Sequence, residues 1–141
     1  MTHVFRYDDL VGVPYADGGR DRSGYDCWGL ARELFHRQGY ELPLYPIDPH
    51  DTEQIDRMTR KTFAGWEKLE KPEAGCLVLL RLSMGGWANH VGICIENRRF
   101  IHAYSGAGVC IDRLSHWRSR IAGFYMPGGT NGTDYRDKEP F

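Results

Sequence analysis

The chain lacks any run of five or six like charges: its 18 Lys and Arg residues stand against 19 Asp and Glu, interspersed along 141 residues. A basic arm for a polyanion is therefore absent, and nucleic acid is not an implied partner. No apolar stretch approaches the roughly 20 residues needed to cross a bilayer, so a membrane is not implied either. The opening MTHVFRYDDL does not follow the basic, apolar, small-residue order of a secretory leader, and synthesis in the cytoplasm is the expectation. Cysteine is sparse. The four, at positions 27, 76, 94 and 110, show no paired C-x-x-C spacing, and a chain of this size does not need staples, so all four are expected as free thiols. There is no internal repeat. Asn131-Gly132-Thr133 spells a glycosylation acceptor, but without a leader chance explains it.

What is present is a composition, 41% hydrophobic and 13% aromatic, that can bury one core. Residues 1–127 read as a single domain, and 128–141, polar and glycine-rich, as a flexible tail. From Val11 to Gly24 the segment is dense in Gly, Pro, Asp and Ser and predicts an irregular loop. DCWGLARELFHRQG follows, in which Asp26 is a good N-cap, Leu30 and Leu34 recur at helical spacing and Gly39 is a stop, predicting a helix from Cys27 to Gln38. A second helix is suggested over Asp51 to Phe63 by Ile55, Met58 and Phe63. After Pro72, five short runs rich in β-branched, aliphatic and aromatic residues predict antiparallel strands: Cys76 to Leu82, His90 to Glu96, Arg99 to Tyr104, Val109 to Leu114 and Ile121 to Met126. Helices first and strands after is the α+β pattern, helices on one face of an antiparallel sheet.

Three residues carry candidate chemistry. Cys27 falls in the first turn of the predicted helix, where unpaired N–H groups and the helix dipole favour a thiolate and supply donors for an oxyanion. Most free cysteines are small buried hydrophobes instead, and Cys76, Cys94 and Cys110, inside apolar strand patterns, fit that description. His90 and His102 lie on neighbouring strands joined by a tight turn. A loop of about three residues pairs even positions with even, so both imidazoles project from one face while Val91, Ile93 and Ile101 project from the other. Two histidines within reach suggest a base and the group that orients it: His90 takes the Cys27 proton and His102 holds its far nitrogen. A zinc set of His90, Cys94, His102 and Cys110 is the competing arrangement, disfavoured by its spacing. No metal or cofactor is expected.

These residues resemble the NlpC/P60 family of cell-wall peptidases. GVPYADGGRDRSGYDCWGL is similar to that family's G-x-P-Y, G-G and D-C-S-G-L signature, and NHVGICI followed by FIHA is similar to its two histidine strands. The likeness extends from Leu10 to about Leu34 and from Pro72 to Tyr125. It implies a papain-like fold, Cys27 as nucleophile, His90 as base and His102 as orienting residue, and it points to Tyr15 beside the thiol. Asp26, Trp28, Trp87 and Asn89 are the remaining candidates for the substrate or oxyanion site. Two departures stand out: Trp28 where the pattern has Ser, and Cys76 after Gly75 where Asp is usual.

The implied substrate is the peptidoglycan stem peptide, at the γ-D-glutamyl to diamino acid bond. Trp28 and the proline-marked segment that follows look closer to tail-associated phage members of the family, which would make other tail proteins partners and a virion tail a location. Two alternatives stay open: a tail-tip or assembly protein that keeps the fold without turnover, and a host or toxin amidase with the same chemistry.

Overall fold

The computed structural model describes residues 5–42, 57, 61–82 and 88–128. After a 3-10 turn at Asp8–Leu10 come a two-stranded ribbon, β1 (Arg20–Asp21) with β2 (Gly24–Tyr25), and helix α1 (Cys27–Arg37). Then follow β3 (Glu67–Leu69), β4 (Leu77–Leu80), β5 (His90–Ile95), β6 (Arg99–Tyr104), β7 (Gly108–Arg113), a 3-10 helix (Leu114–Arg120) and β8 (Ile121–Met126). Of the suggested second helix, residues 61–63 are helical, and most of the rest, like the predicted tail beyond residue 128, lies outside the described residues.

All five predicted strands are present as β4 to β8, but the sheet has six, in the order β3-β8-β4-β5-β6-β7, antiparallel throughout. The sixth, β3, is Glu-Lys-Leu, with no apolar alternation to announce it. It exists because the open edge of β8 offers unpaired N–H and C=O groups. The β1–β2 ribbon lies, but for Tyr25, inside the segment read as loop, and there the turn chemistry was legible: Asp21 Oδ1 accepts the Ser23 N–H at 2.9 Å.

The register pairs Leu77 with Ile93, Leu79 with Val91, Ile93 with Ile101 and Ala103 with Val109, so odd-numbered residues form one face. Onto that face α1 lays Leu30, Ala31, Leu34 and Phe35, all buried. Phe35 stands edge-on to Trp66 and Tyr40, centroids 5.7 and 5.8 Å away, and each large side chain so buried contributes about 1.5–3 kcal/mol. Even-numbered residues form the second face, where Cys76, Val78, Leu80, Cys94 and Phe100 are covered by Leu114 and Trp117 from the 3-10 helix. The chain crosses that face because β7 and β8 run in the same direction at separated places in the sheet. His90 and His102 belong to this even-numbered set, as predicted.

Candidate active site

The start of α1 is built around Asp26. Its Oδ1 accepts the Gly29 N–H at 2.7 Å and meets Arg20 Nη1 at 2.6 Å, while Oδ2 accepts the Gly18 N–H at 3.1 Å. One carboxylate thus caps the helix and ties the 16–24 loop to it, and its oxygens are occupied by that task rather than turned to a substrate. The loop packs so tightly that a Cβ on Gly29 would lie 2.1 Å from the Gly19 carbonyl oxygen, so no larger residue fits there. Tyr15 runs beside β2 through a bridge to Tyr25, and its hydroxyl pKa is raised by burial and then by its neighbours Cys27 and Asp17.

Cys27 is the first residue of α1. Burial pushes its thiol up to about 11, against the backbone N–H groups of Val91 and Trp28, which pull it down. The expectation of a favoured thiolate is therefore reversed: at this helix start desolvation outweighs the donors. The Val91 N–H that reaches the sulfur belongs to the residue after His90, so the nucleophile candidate and the base candidate share one end of β5.

His90 opens β5 and His102 lies in β6; they are 3% and 0% exposed. His90 Nε2 and His102 Nδ1 are 2.7 Å apart, with ring centroids separated by 5.0 Å. Gly92 makes room for the pair: a Cβ there would approach the Phe100 ring to 2.8 Å and His102 Cβ to 3.1 Å. Burial, followed by the charge of His102, lowers the His90 pKa to about 3. Burial also lowers that of His102, opposed by Asp112.

Asp112, which the sequence reasoning missed, sits in β7 with its Oδ2 at 2.7 Å from His102 Nε2. A signal was available, since Asp112 is an isolated acid in an apolar strand, in phase with the even-numbered face. Trp117 was also missed; it stacks over His90 at 6.3 Å between centroids and meets His102 edge-on at 5.4 Å, roofing both rings. Nothing in the strand pattern reported it, because it comes from the crossover helix.

The chain of contacts has a direction. An ionised carboxylate only accepts, so His102 carries its proton on Nε2 and accepts at Nδ1. His90 must then donate from Nε2, and its Nδ1 keeps the lone pair that a base needs.

The remaining candidates are placed differently. Asn89 Oδ1 accepts the Leu82 N–H at 3.3 Å and its own N–H bonds the Leu80 carbonyl at 3.0 Å, closing the base of the β4–β5 connection. Trp28 is half-buried against the main core, and Trp87 lies outside the described residues. The four-residue zinc set does not assemble: of its members only His102 and Cys110 come together as possible ligands, with Asp112.

The sequence profile of the NlpC/P60 family matches residues 12–126. The murein DD-endopeptidase MepS/murein LD-carboxypeptidase of Escherichia coli is 33% identical over 119 residues, covering 82% of this chain and 56% of that protein. The chain thus spans about half the length of that relative. Among solved structures, an NlpC/P60 family protein from Bacillus cereus superposes with a TM-score of 0.63 at 22% identity, covering 84% of this chain and 37% of the other. The NlpC/p60 domain of the peptidoglycan hydrolase SagA gives 0.59 at 23%, covering 84% and 91%. Both share the papain-like α+β fold. With the profile spanning the loop, the helix start and both histidine strands, the chain belongs to the NlpC/P60 family.

Proposed function

We propose that the protein is a cysteine peptidase that hydrolyses the peptidoglycan stem peptide, at the γ-D-glutamyl to diamino acid bond, with Cys27 as nucleophile, His90 as base and His102 as the group that orients it. The observation that supports this reading is the hydrogen bond that His90 Nε2 donates to His102 Nδ1, which leaves the lone pair on His90 Nδ1, in the strand whose next residue, Val91, turns its N–H to the Cys27 sulfur. As the Cys27 sulfur attacks the scissile carbonyl carbon, its proton passes to His90 Nδ1. The oxyanion is held by N–H groups at the helix start, Trp28 among them, and by the Tyr15 hydroxyl. His90 then returns the proton to the leaving amine, and a water activated by the same nitrogen hydrolyses the thioester. Because Cys27 and His90 are both neutral at rest, the proton moves on attack and not before.

The Trp28 helix start supports a tail-associated phage member, delivered to the wall by the particle, with other tail proteins as partners. The test of the chemistry is digestion of defined muropeptides with products identified by mass. Cys27→Ala is expected to abolish cleavage while melting within a degree or two of the parent, and cleavage at the parental rate would overturn the assignment.

One observation favours a second reading, a binding protein without turnover: the raised Cys27 pKa, which makes the thiol a poor nucleophile until something fills the site. Muropeptide binding by the parent chain with no product after long incubation would support it.

A further inference from the structure

Cys110 has no part in the chemistry above, yet its thiol stands beside the catalytic relay. It lies directly across the β6–β7 ladder from His102, and Asp112 is two residues further along the same strand, on the same face. The His102 nitrogen, the Cys110 sulfur and an Asp112 carboxylate oxygen all lie within 4.8 Å of one another. We propose that His102, Cys110 and Asp112 bind one divalent transition-metal ion of the zinc type, and that its binding switches off His90.

The geometry suits such an ion. Bonds of about 2.3 Å to sulfur and about 2.0–2.2 Å to nitrogen and oxygen, at tetrahedral angles, hold ligand atoms roughly 3.4–3.6 Å apart. The 2.7 Å contact between His102 Nε2 and Asp112 Oδ2 has to open by less than about an ångström, and the sulfur to close by about as much. One nitrogen, one thiolate and one carboxylate select zinc-like ions over magnesium or calcium, which prefer oxygen alone. The site is open on one side. β7 is the last strand of the sheet, Cys110 is half-buried and the Asp112 side chain is 36% exposed, so an ion and a water as fourth ligand arrive from solvent without disturbing the core. His102 brings an outer partner as well, the His90 ring on its other nitrogen.

The switch follows from where the protons go, and it rests on the peptidase reading. A metal bound at His102 Nε2 displaces that nitrogen's proton to solvent. His102 then takes a proton on Nδ1 from His90 Nε2, and His90 takes one from solvent on Nδ1. The two rings exchange positions of two protons with no net change, and the one proton released overall is that of the Cys110 thiol. His90 now holds a proton on the nitrogen that should accept one from Cys27, so it no longer serves as base.

Two measurements on the full chain test this. In Cys27→Ala protein, Co²⁺ is expected to give a near-ultraviolet thiolate charge-transfer band saturating at one equivalent, and Cys110→Ser in that background is expected to remove it. A band that survives Cys110→Ser, or no band with Co²⁺ in excess, overturns the site. In the parent chain, Zn²⁺ is expected to inhibit muropeptide cleavage reversibly, with EDTA restoring it; Cys110→Ser is expected to keep the basal rate and need at least tenfold more Zn²⁺. Equal inhibition of both proteins places the ion on Cys27 and overturns the switch. Failure of the two readings is distinguishable: a Cys110-dependent band without cleavage supports the site and removes the peptidase, whereas cleavage without a band does the reverse.

Discussion

At the scale of the residue, environment decides what Cys27 and His90 are. A thiol at a helix start is often acidic, but here burial lifts it to about 11, and burial takes His90 down to about 3. Alkylation of Cys27 by iodoacetamide in the free protein is therefore expected to be slow at pH 7 and to climb beyond pH 9, with His90→Ala barely changing the profile; rapid alkylation at pH 6 would contradict a neutral resting pair. In the proposed mechanism Asp112 acts through His102, which it meets at 2.7 Å. Asp112→Ala removes the acceptor that sets the relay's direction and is expected to lower kcat on the order of 10- to 100-fold, less than loss of the base itself, with KM little changed. ¹⁵N chemical shifts of the imidazoles should report mixed tautomers in that variant, and an unaltered Nε2–H signature on His102 would remove the role. The helix start at Cys27 was legible from its cap, and the pairing of His90 with His102 from strand parity. Asp112 carried a faint signal, an acid in phase with the even-numbered face, whereas Trp117 became visible only when the crossover helix was placed over the rings.

At the scale of the element, two short features position the site. The β5–β6 turn, Glu96 to Arg98, sets the parity that puts both imidazoles on one face, and it holds Asn97 and Arg98 at φ 63° and 57°. A side chain other than Gly or Asn resists that region. Arg98→Gly is expected to stabilise the fold by about 0.5–1 kcal/mol, read as a rise in Tm. Gly92 does the opposite kind of work, leaving space where the His102 ring crosses β5. Gly92→Ala drives a methyl into Phe100 and His102 and is expected to cost about 1–3 kcal/mol in urea unfolding, with a loss of activity larger than the loss of folded protein at low denaturant. The strand runs were readable from alternation and the helix from its cap. The edge strand β3 was not, since three mostly polar residues owe their conformation to a neighbour's open edge.

At the scale of the molecule, the buried neutral imidazole couples folding to pH. His90 has a pKa near 6.5 when exposed and about 3 in the fold, so between those values the unfolded chain binds the extra proton. Its contribution to stability is full above about pH 6.5 and is lost as pH falls toward 3. Asp9 adds to the trend. Arg37, donating to it at 2.7 and 3.1 Å, holds its carboxyl well below the usual range, so that contribution is complete above the unfolded value near 3.8 and fades below it. The urea midpoint is expected to fall steadily from pH 7 to pH 4, and His90→Gln should flatten the upper part of that slope; a midpoint constant across this range would contradict the buried neutral ring.

What the amino-acid order determined alone were the locally encoded things: a cap at Asp26, a helix from Cys27, strands with two-residue alternation, and a pair of histidines whose parity matched. Those follow from short-range sterics and periodicity, which each segment carries within itself. Whether the helix start would be polar enough to ionise a thiol, which acid would complete the imidazole relay, and that Cys110 would end beside it were decided by the tertiary structure. Desolvation and cross-strand contact depend on what the rest of the chain places around a group, and no segment carries that information by itself.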